Sequence, residues 1–462
     1  MSAARVALEP VNRQSALVSF QTARAVRPRV SVVGPSGTWT VPESGTLTAS
    51  PGTSHEVLLL GLAPETRYEL VLAGEGVVPD RSLSFTTEPL PAGFPTLDVR
   101  VSQPERMEPG VTLVGLSGLD PGWIAAYDAA GVPVWYHRPE PPVIVTHVQR
   151  LASGNIAYVA GTEWERIVEI DLRGRLVREY AAAALGLEML HHDFDVLPDG
   201  HLLAQTSELV PVSGFPPGDP PGPNTLELVA DSLVELDGAG HVARRWAMLD
   251  VLAPHRIRLD ALFPYWNHWY PGSSLVRGWC HLNNVTYVPK RDSVLLSALD
   301  QRMVFEMGLA DGKLRWVLGS DDPRTHEDDD WPFLALEPGG RLPARQHDVE
   351  ELPDGDILVY DNAIDTLRSR CVRYRIDPEH RTARQVWDFI DPDLHPPAFS
   401  LVAGDCDGLG NGNILVFDPL AVGLRTRIAE LDPRDDSKVF EAFTAPTVGG
   451  FDAERIRSLY PD

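Results

Sequence analysis

The sequence of 462 residues predicts an all-β protein in which a small β-sandwich precedes a six-bladed β-propeller. Two observations lead to this fold class. Short runs of alternating apolar and polar residues fill the first 90 positions, and a strand–turn–strand unit recurs six times from about residue 109 onward. The 38 glycines and 41 prolines have no regular period, which indicates many turns. We therefore divide the chain into a sandwich at 1–92, a linker at 93–108 and the propeller at 109–462.

The N-terminal domain is predicted from its alternating strands, which are separated by Gly, Pro and Ser residues. They lie at 15–20, 29–33, 45–49 and 56–60. The stretch Leu62-Ala-Pro-Glu-Thr-Arg-Tyr68 resembles the turn that precedes a core strand in fibronectin type III domains. This resemblance implies a fibronectin type III-like sandwich, and it carries no chemistry of its own.

The propeller is predicted from six hairpins, each with an acidic turn and an aromatic residue in its second strand. The turn residues are Asp128, Asp171, Asp237, Asp311, Asp377 and Asp432, and the aromatics are Trp135, Tyr180, Trp246, Trp316, Trp387 and Phe440. A four-stranded blade needs roughly 40–50 residues, so the wider spacings indicate insertions. We expect a strand near Phe451–Leu459, or one just before the Trp123 hairpin, to close the ring.

Charge and motifs exclude several classes of function. A net charge of −25 argues against nucleic acid or an anionic membrane as a partner. The three cysteines form no disulfide framework, and neither a GxSxG elbow nor a P-loop is present. Because the N-terminus has no run of signal-peptide type, we expect a cytoplasmic protein as written and a periplasmic one if a leader was removed.

Three histidines are the candidates for chemistry. Two similar hairpins, at 191–203 and 344–362, place His192 and His347 eight residues before their second strands, and His281 opens a third strand pair. The first strand of each blade lines the central channel, so we expect the three imidazoles to converge, with Asn283 on the same strand face as His281.

The residues alone leave three functions open. Three neutral imidazoles can bind zinc, as in a metal-dependent hydrolase. One imidazole can instead attack an electrophile while the others hold its oxygens. The third alternative is a ligand-binding propeller without catalysis. The insertion at 247–278 carries Trp266 and Trp269, which could line a pocket for an aromatic ligand. A run of acidic residues after Ser320 is typical of a solvated loop.

Several motifs together resemble the bacterial arylsulfate sulfotransferase family. They are Pro121–Trp135, His191-His-Asp193, Trp279-x-His281-x-Asn283, Gly312–Gly319, Gln346-His-Asp348 through Asn362, and Gly412–Leu415. The resemblance implies a six-bladed propeller behind a small β-domain. It also implies transfer of a sulfuryl group from an aryl sulfate to a phenol, through a sulfated histidine and without a nucleotide, cofactor or metal.

The resemblance assigns roles to the candidate residues. His347 corresponds to the nucleophile, His192 to an acid or base, and His281 with Asn283 to the pair that contacts sulfate and the leaving phenolate. Trp279, Trp266 and Trp269 are candidate substrate contacts. The expected partners are small aryl sulfates and phenols, and a homodimer is allowed.

One position departs from the family pattern. Where the family has an arginine that helps to bind sulfate, this chain has Leu299. Arg302 is the nearest arginine, and it could replace the missing one through a local bulge. The predicted activity is therefore that of an aryl-sulfate sulfotransferase whose fixed positive charge is absent or moved.

Overall fold

The regular structure is almost entirely β-strand, as predicted. The computed structural model describes residues 4–48, 50–73, 83–117, 122–161, 165–215, 224–256, 266–267, 269–271, 276–320 and 330–461. The helices in these ranges are single turns, namely α1 (Ala182–Leu185), α2 (Met248–Val251) and a 3₁₀ turn (Glu43–Gly45). Within the described ranges, no helix has the length and apolar character needed to cross a membrane.

Seven strands form the N-terminal sandwich. They are β1 (Arg5–Leu8), β2 (Ala16–Val26), β3 (Arg29–Gly34), β4 (Gly37–Thr40), β5 (Gly52–Leu59), β6 (Arg67–Ala73) and β7 (Leu83–Thr86). One sheet has the order β1-β2-β5 and the other β4-β3-β6-β7. Their inward residues, such as Val18, Val32 and Leu70, are buried in one core. The predicted strand at 45–49 is wrong, because the chain turns through the 3₁₀ helix and keeps only an isolated bridge at Thr46.

The remaining strands belong to the second part of the chain. The first group is β8 (Asp98–Ser102), β9 (Val111–Ser117), β10 (Trp123–Tyr127), β11 (Pro133–His137), β12 (Val145–Arg150), β13 (Ile156–Ala160), β14 (Arg166–Ile170), β15 (Leu176–Ala181), β16 (His191–Val196), β17 (Leu202–Ser213), β18 (Thr225–Leu236), β19 (Val242–Ala247) and β20 (Val276–Gly278). The second group is β21 (Leu282–Val288), β22 (Ser293–Ala298), β23 (Met303–Gly308), β24 (Leu314–Gly319), β25 (Ala335–Leu336), β26 (His347–Glu351), β27 (Ile357–Asp361), β28 (Arg370–Asp377), β29 (Thr382–Phe389), β30 (Asp405–Gly408), β31 (Ile414–Val422), β32 (Arg425–Asp432), β33 (Ser437–Phe443) and β34 (Gly449–Ile456).

These strands form six sheets of four or five strands. Their orders are β11-β10-β9-β34, β12 to β15, β16 to β19 with β20 beside β18, β21 to β24, β25-β29-β28-β27-β26, and β30 to β33 followed by β8. The strands β34, β12, β16, β21, β26 and β30 each contact the next in a closed ring. Apolar side chains fill the spaces between successive sheets, so both faces of each sheet are buried. This arrangement is propeller-like.

The two ends of the ring segment complete each other's sheets. The late strand β34 pairs with β9, while the early strand β8 pairs with β33. The predicted linker at 93–108 therefore contains a paired strand, because residues 98–102 supply the outer edge of the sixth sheet.

The sandwich packs against the first and second sheets of the ring and the last residues of the chain. Leu58 and Leu60 share a hydrophobic cluster with Trp135 and Leu459. The Tyr460 hydroxyl accepts from the Leu60 N–H at 2.9 Å and donates to the Leu58 carbonyl at 3.1 Å. These contacts hold the sandwich to the last residues of the chain.

A disulfide joins the fifth and sixth sheets. Cys371 on β28 is bonded to Cys406 on β30, and their Cα atoms are 6.1 Å apart. Cys280 is a buried free thiol. No sequence pattern indicated this pairing, because the two cysteines lie in different sheets.

Candidate active site

The inner strands of the ring carry irregularities at the end where the histidines lie. The pairing register shifts between His191 and Phe194, between Leu282 and Asn284, and between His347 and Val349. Such bulges re-aim side chains and are frequent beside functional sites. His192 and His281 also have positive φ angles of 57° and 55°, which are strained for residues with a Cβ atom.

His347 is held as a neutral imidazole with one defined tautomer. Its Nδ1 lies 2.8 Å from Asn362 Oδ1, and the Ala403 N–H donates to its Nε2 at 3.1 Å. The amide oxygen can only accept and the backbone N–H can only donate, so the proton is on Nδ1 and the lone pair on Nε2. Burial lowers the pKa of His347 to about 3, against the opposing hydrogen bond to Asn362.

The other histidines form a chain of hydrogen bonds. His281 Nε2 lies 3.3 Å from His192 Nε2, and His192 Nδ1 lies 2.7 Å from His191 Nδ1. His191 Nε2 then contacts the Ser207 hydroxyl at 2.7 Å, which donates to Asp231 at 2.6 Å. The other oxygen of Asp231 accepts the His281 backbone N–H at 2.7 Å, which returns the chain to its start.

The donor and acceptor in each of these hydrogen bonds follow from the Asp231 carboxylate, which accepts at the end of the series. Because Ser207 donates to a carboxylate, His191 Nε2–H donates to Ser207, His192 Nδ1–H donates to His191, and His281 Nε2–H donates to His192. Burial lowers the pKa of both His191 and His192, which keeps these two rings neutral. Asp300 lies 3.5 Å from His281 Nδ1. Among the described contacts, His281 is the ring of the three that has a carboxylate beside its Nδ1.

Aromatic side chains connect the histidines. The Trp266 ring lies 5.0 Å from the His281 ring and 6.2 Å from the His191 ring. Phe451 lies 5.7 Å from His192 and 6.1 Å from His347. The structure thus brings the three predicted histidines to one end of the ring axis, with His347 across Phe451 from the other two.

The positions of the histidines in the repeat are not all equivalent, contrary to the sequence interpretation. His192 and His347 each directly precede an inward acidic residue of their strand, Asp193 and Asp348. On β21 the inward residue is Asn284, and the residue directly before it is Asn283. His281 lies two residues before Asn283 and is therefore not equivalent to His192 and His347. Asn283 is fully buried, and its Nδ2 donates to the Gln346 carbonyl at 3.0 Å.

The other predicted substrate contacts have different surroundings. Trp279 is fully buried in the core between the third and fourth sheets, so its side chain presents no surface to a ligand. Trp269 is half-buried and packs 5.8 Å from Trp266. Most of the remaining aromatic insertion, and the acidic residues 321–329, lie outside the described residues.

The missing arginine is replaced by an apolar side chain beside His281. Leu299 is buried, and its N–H donates to the His281 carbonyl at 3.0 Å. Arg302 follows in the tight turn after β22, with a φ of 50°, and its N–H donates to the Leu299 carbonyl at 3.1 Å.

The three predicted histidines do not gather as one preformed metal site. Among the described residues, the group of three ligating side chains with donor atoms within 4.8 Å of one another is the more exposed Asp199, His201 and Glu235. The geometry thus gives no support to the three-histidine metal hydrolase that the spacing had left open.

Sequence reasoning missed the residues that fix the imidazoles. Asn362 lies just beyond the end of β27, where the antiparallel register His347↔Tyr360 brings it near His347. That position was within reach of hairpin geometry. Ser207 and Asp231 lie far from His191 in sequence, and no local pattern marks them.

The fold is thus a β-sheet ring with a buried cluster of hydrogen-bonded imidazoles at one end of its axis. The family model of the arylsulfotransferases (ASST) matches residues 98–447, and the chain belongs to this family.

One curated relative is similar over part of the chain. The arylsulfate sulfotransferase AssT of Escherichia coli O6:H1 is 22% identical over 329 residues, covering 59% of this chain and 52% of that protein. The chain therefore spans about half the length of this relative.

Two solved structures are similar to parts of this chain. A protein of unknown function from Bacteroides caccae has a TM-score of 0.46 at 16% identity, covering 76% of this chain and 99% of its own. A chain of a nidogen/laminin complex has a TM-score of 0.41 at 10% identity, covering 75% and 99%. Both TM-scores are below 0.5, so the family rests on the sequence matches alone.

Proposed function

We propose that this protein is a nucleotide-independent sulfotransferase that moves a sulfuryl group from an aryl sulfate to a phenol through a transient sulfohistidine at His347. The observation that carries the proposal is the state of His347. It is neutral, its proton is fixed on Nδ1 by Asn362, and its lone pair lies on Nε2. Such a ring is a ready nucleophile, and membership of the arylsulfotransferase family names the electrophile.

The first half of the reaction forms a nitrogen–sulfur bond. Nε2 of His347 attacks the sulfur atom, and the bond from sulfur to the aryl oxygen breaks. The Ala403 N–H leaves Nε2 as the attack proceeds, so it becomes a donor for a sulfuryl oxygen. The electron pair of the broken bond stays on the phenolate, which then needs a proton.

The series of hydrogen bonds that begins at His281 supports that proton transfer. In the proposed cycle His281 starts with protons on both nitrogens, gives one to the departing phenolate, and keeps the Nε2 proton that it donates to His192. In the second half, His281 takes the proton of the acceptor phenol. The phenolate oxygen then attacks sulfur, and the nitrogen–sulfur bond breaks to restore His347.

The substitution at Leu299 bears on sulfate affinity. At the place of the family arginine the chain offers the amide of Asn283 and the Ala403 N–H as neutral donors, and the guanidinium whose charge acts on His347 is that of Arg345. Neutral donors bind an anion more weakly than a bidentate arginine does. We therefore expect donor sulfates to bind weakly, with a high KM.

We also propose the finer architecture in which this site lies. The six sheets and their ring of inner strands support a six-bladed propeller at 109–462. The three- and four-stranded sheets and the Tyr68 hydroxyl, which accepts from the Ala63 N–H at 2.8 Å, support a fibronectin type III-like sandwich at 1–92.

The test uses a fluorogenic aryl sulfate with and without a phenol acceptor. We expect release of the fluorophore to depend on the acceptor and to be unaffected by a chelator. Brief incubation with donor alone should leave one sulfuryl group on the peptide that contains His347, detected by mass spectrometry under neutral conditions. Turnover without any labelled histidine would overturn the covalent route, and absence of all turnover would overturn the proposed function.

A further inference from the structure

Below the histidines, the ring axis holds a cavity of about 240 Å³ whose wall is a two-layer repeat. Each of the six inner strands contributes residues i and i+2. The upper layer is His147, Asp193, Asn284, Asp348, Asp405 and Asp452, and the lower layer is Gln149, Asp195, Thr286, Glu350, Asp407 and Glu454. Eight of these twelve side chains are carboxylates, four in each layer. No Lys or Arg is among the described residues that line the cavity.

Part of this acidity has a structural explanation. The Asp193 carboxylate accepts the Val285 N–H at 2.9 Å, and the Asp405 carboxylate accepts the Ala453 N–H at 3.2 Å. Equivalent hydrogen bonds join other neighbouring sheets. In each, a carboxylate on one inner strand accepts a hydrogen bond from a backbone N–H of the next inner strand. These bonds tie neighbouring sheets together where no strand pairing exists. They involve neutral donors, however, and do not balance the charge.

A second observation points to a ligand. Asn284 is 7% exposed, and its Oδ1 has no hydrogen-bond partner among the described residues. Its Nδ2 donates to Asp193 at 3.1 Å and to Asp348 at 3.2 Å, which holds the carboxamide in the wall of the cavity. Asn283, fully buried in the same wall, also has an Oδ1 without such a partner. Buried carbonyl oxygens of this kind normally have a donor or a cation.

The charge within the wall is only partly met by His147. Its Nδ1 lies 2.5 Å from Asp452 and 3.2 Å from Asp193. Among the described lining residues, this one imidazole faces eight carboxyl groups. The remaining ligand atoms are carboxylate and carboxamide oxygens, which hard divalent cations prefer.

We propose that the cavity below the histidines binds a calcium ion on the ring axis, held by carboxylates of the upper layer, by Asn284 and by water. Calcium suits this wall because it accepts about six to eight oxygens in irregular geometry. No three carboxylate or imidazole side chains of the described wall bring their donor atoms within 4.8 Å of one another, so water completes the shell. The cavity has room for several waters, each occupying about 30 Å³. This site is independent of the proposed sulfuryl transfer.

The test measures calcium binding to the full-length chain after exhaustive treatment with EDTA. Titration calorimetry with CaCl₂ should show one site, and thermal unfolding should move upward with Ca²⁺ but not with NaCl of equal ionic strength. The Asp405→Asn/Asp407→Asn variant should bind Ca²⁺ at least roughly tenfold more weakly. The new carboxamide at position 405 keeps an oxygen for the Ala453 N–H, and no hydrogen bond of Asp407 is lost among the described contacts.

Two controls make the result decisive. Asp199→Asn alters the surface group of Asp199, His201 and Glu235 and should leave calcium affinity unchanged. The double variant should unfold in EDTA at the temperature of the parent or above it, because two like charges have gone, which shows that it folds. Absence of binding, equal stabilisation by NaCl or by MgCl₂, or loss of binding in Asp199→Asn would each overturn the proposal.

Discussion

The hairpins β16–β17 and β26–β27 have similar sequences, but their histidines have different hydrogen-bond partners. Both turn at Pro-Asp-Gly, both have a bulge near the start, and both place a histidine just before an inward aspartate. In the first copy, His192 is bound to other imidazoles. In the second, His347 is bound to an amide side chain and a backbone N–H. The bulges differ, because φ is positive at His192 in the first copy and at Asp348 in the second. In the proposed reaction, the different partners suit His192 to proton transfer and His347 to offering a lone pair.

The strongest test of this difference replaces each histidine in turn. His347→Ala should lower the turnover number by about 10³-fold or more and abolish the sulfated intermediate, because the nucleophile is gone. His192→Ala should lower turnover only about 10–100-fold, since it weakens proton transfer alone. Steady-state rates and intact-protein mass spectrometry measure both effects. Labelling that survives in His347→Ala but not in His192→Ala would reverse the two roles.

The two sheets also differ in covalent support. The sheet of His347 is tied to the next by Cys371–Cys406, which closes a loop of 35 residues. Loop-closure entropy predicts that Cys371→Ser/Cys406→Ser lowers the free energy of unfolding by about 3–4 kcal/mol. Denaturant unfolding measures this, with dithiothreitol as the control. The reductant should destabilise the parent and leave the double variant unchanged, and an equal effect on both would contradict the disulfide.

The amide that fixes His347 offers a finer comparison. Asn362→Ala removes the acceptor of the Nδ1 proton, so a share of the rings adopts the unreactive tautomer, and turnover should fall about 10–100-fold. Ser207→Ala makes the corresponding break behind His191 and should cost less, about tenfold or below. Single-turnover kinetics with donor alone separates the first step from the second. A larger loss in Ser207→Ala than in Asn362→Ala would show that the proton chain limits the first step.

His137 provides a reference histidine outside both hairpins. It is buried at the end of β11, its Nδ1 has no hydrogen-bond partner among the described residues, and burial lowers its pKa to about 4. In the unfolded chain its pKa returns to about 6.5. The unfolded state therefore binds the proton first as the pH falls from about 6.5 towards 4, and folding stability is lost across that window.

His137→Gln removes this contribution. The loss of stability between about pH 7 and pH 5 should shrink by about 2 kcal/mol, as measured by urea unfolding at each pH. An unchanged pH dependence would show that the ring is not held neutral in the folded state.

The sequence predicted those parts of the fold that depend on neighbours in the chain. All six outer hairpins lie where the acidic turns and trailing aromatics indicated, because turn chemistry and alternation are local. The pairing of β8 with β33 and the disulfide were out of reach, since each joins distant segments. The bulges were missed as well, and they explain why Asn283, not His281, occupies the place equivalent to His192 and His347.

In the site, too, the features set by neighbouring residues were predictable and those set by distant segments were not. The repeated His-Asp pair located His192 and His347 near one axis, but the hydrogen bonds that give each ring its tautomer come from other segments. The alternation of acidic residues along β16, β26, β30 and β34 was visible as Asp-x-Asp and Asp-x-Glu pairs. Its meaning depends on the ring, which brings the four strands around one cavity.

The ring closes through two pairings between early and late strands, β8 with β33 and β34 with β9, and this constrains folding during synthesis. During synthesis the first sheet lacks its inner strand until β34 at 449–456 emerges, and β8 at 98–102 is made early but has no partner until β33 at 437–443 follows. The channel wall is likewise incomplete until Asp452 and Glu454 have left the ribosome. A nascent chain stopped before residue 449 would therefore leave the first sheet without its inner strand and present an open groove to chaperones and proteases.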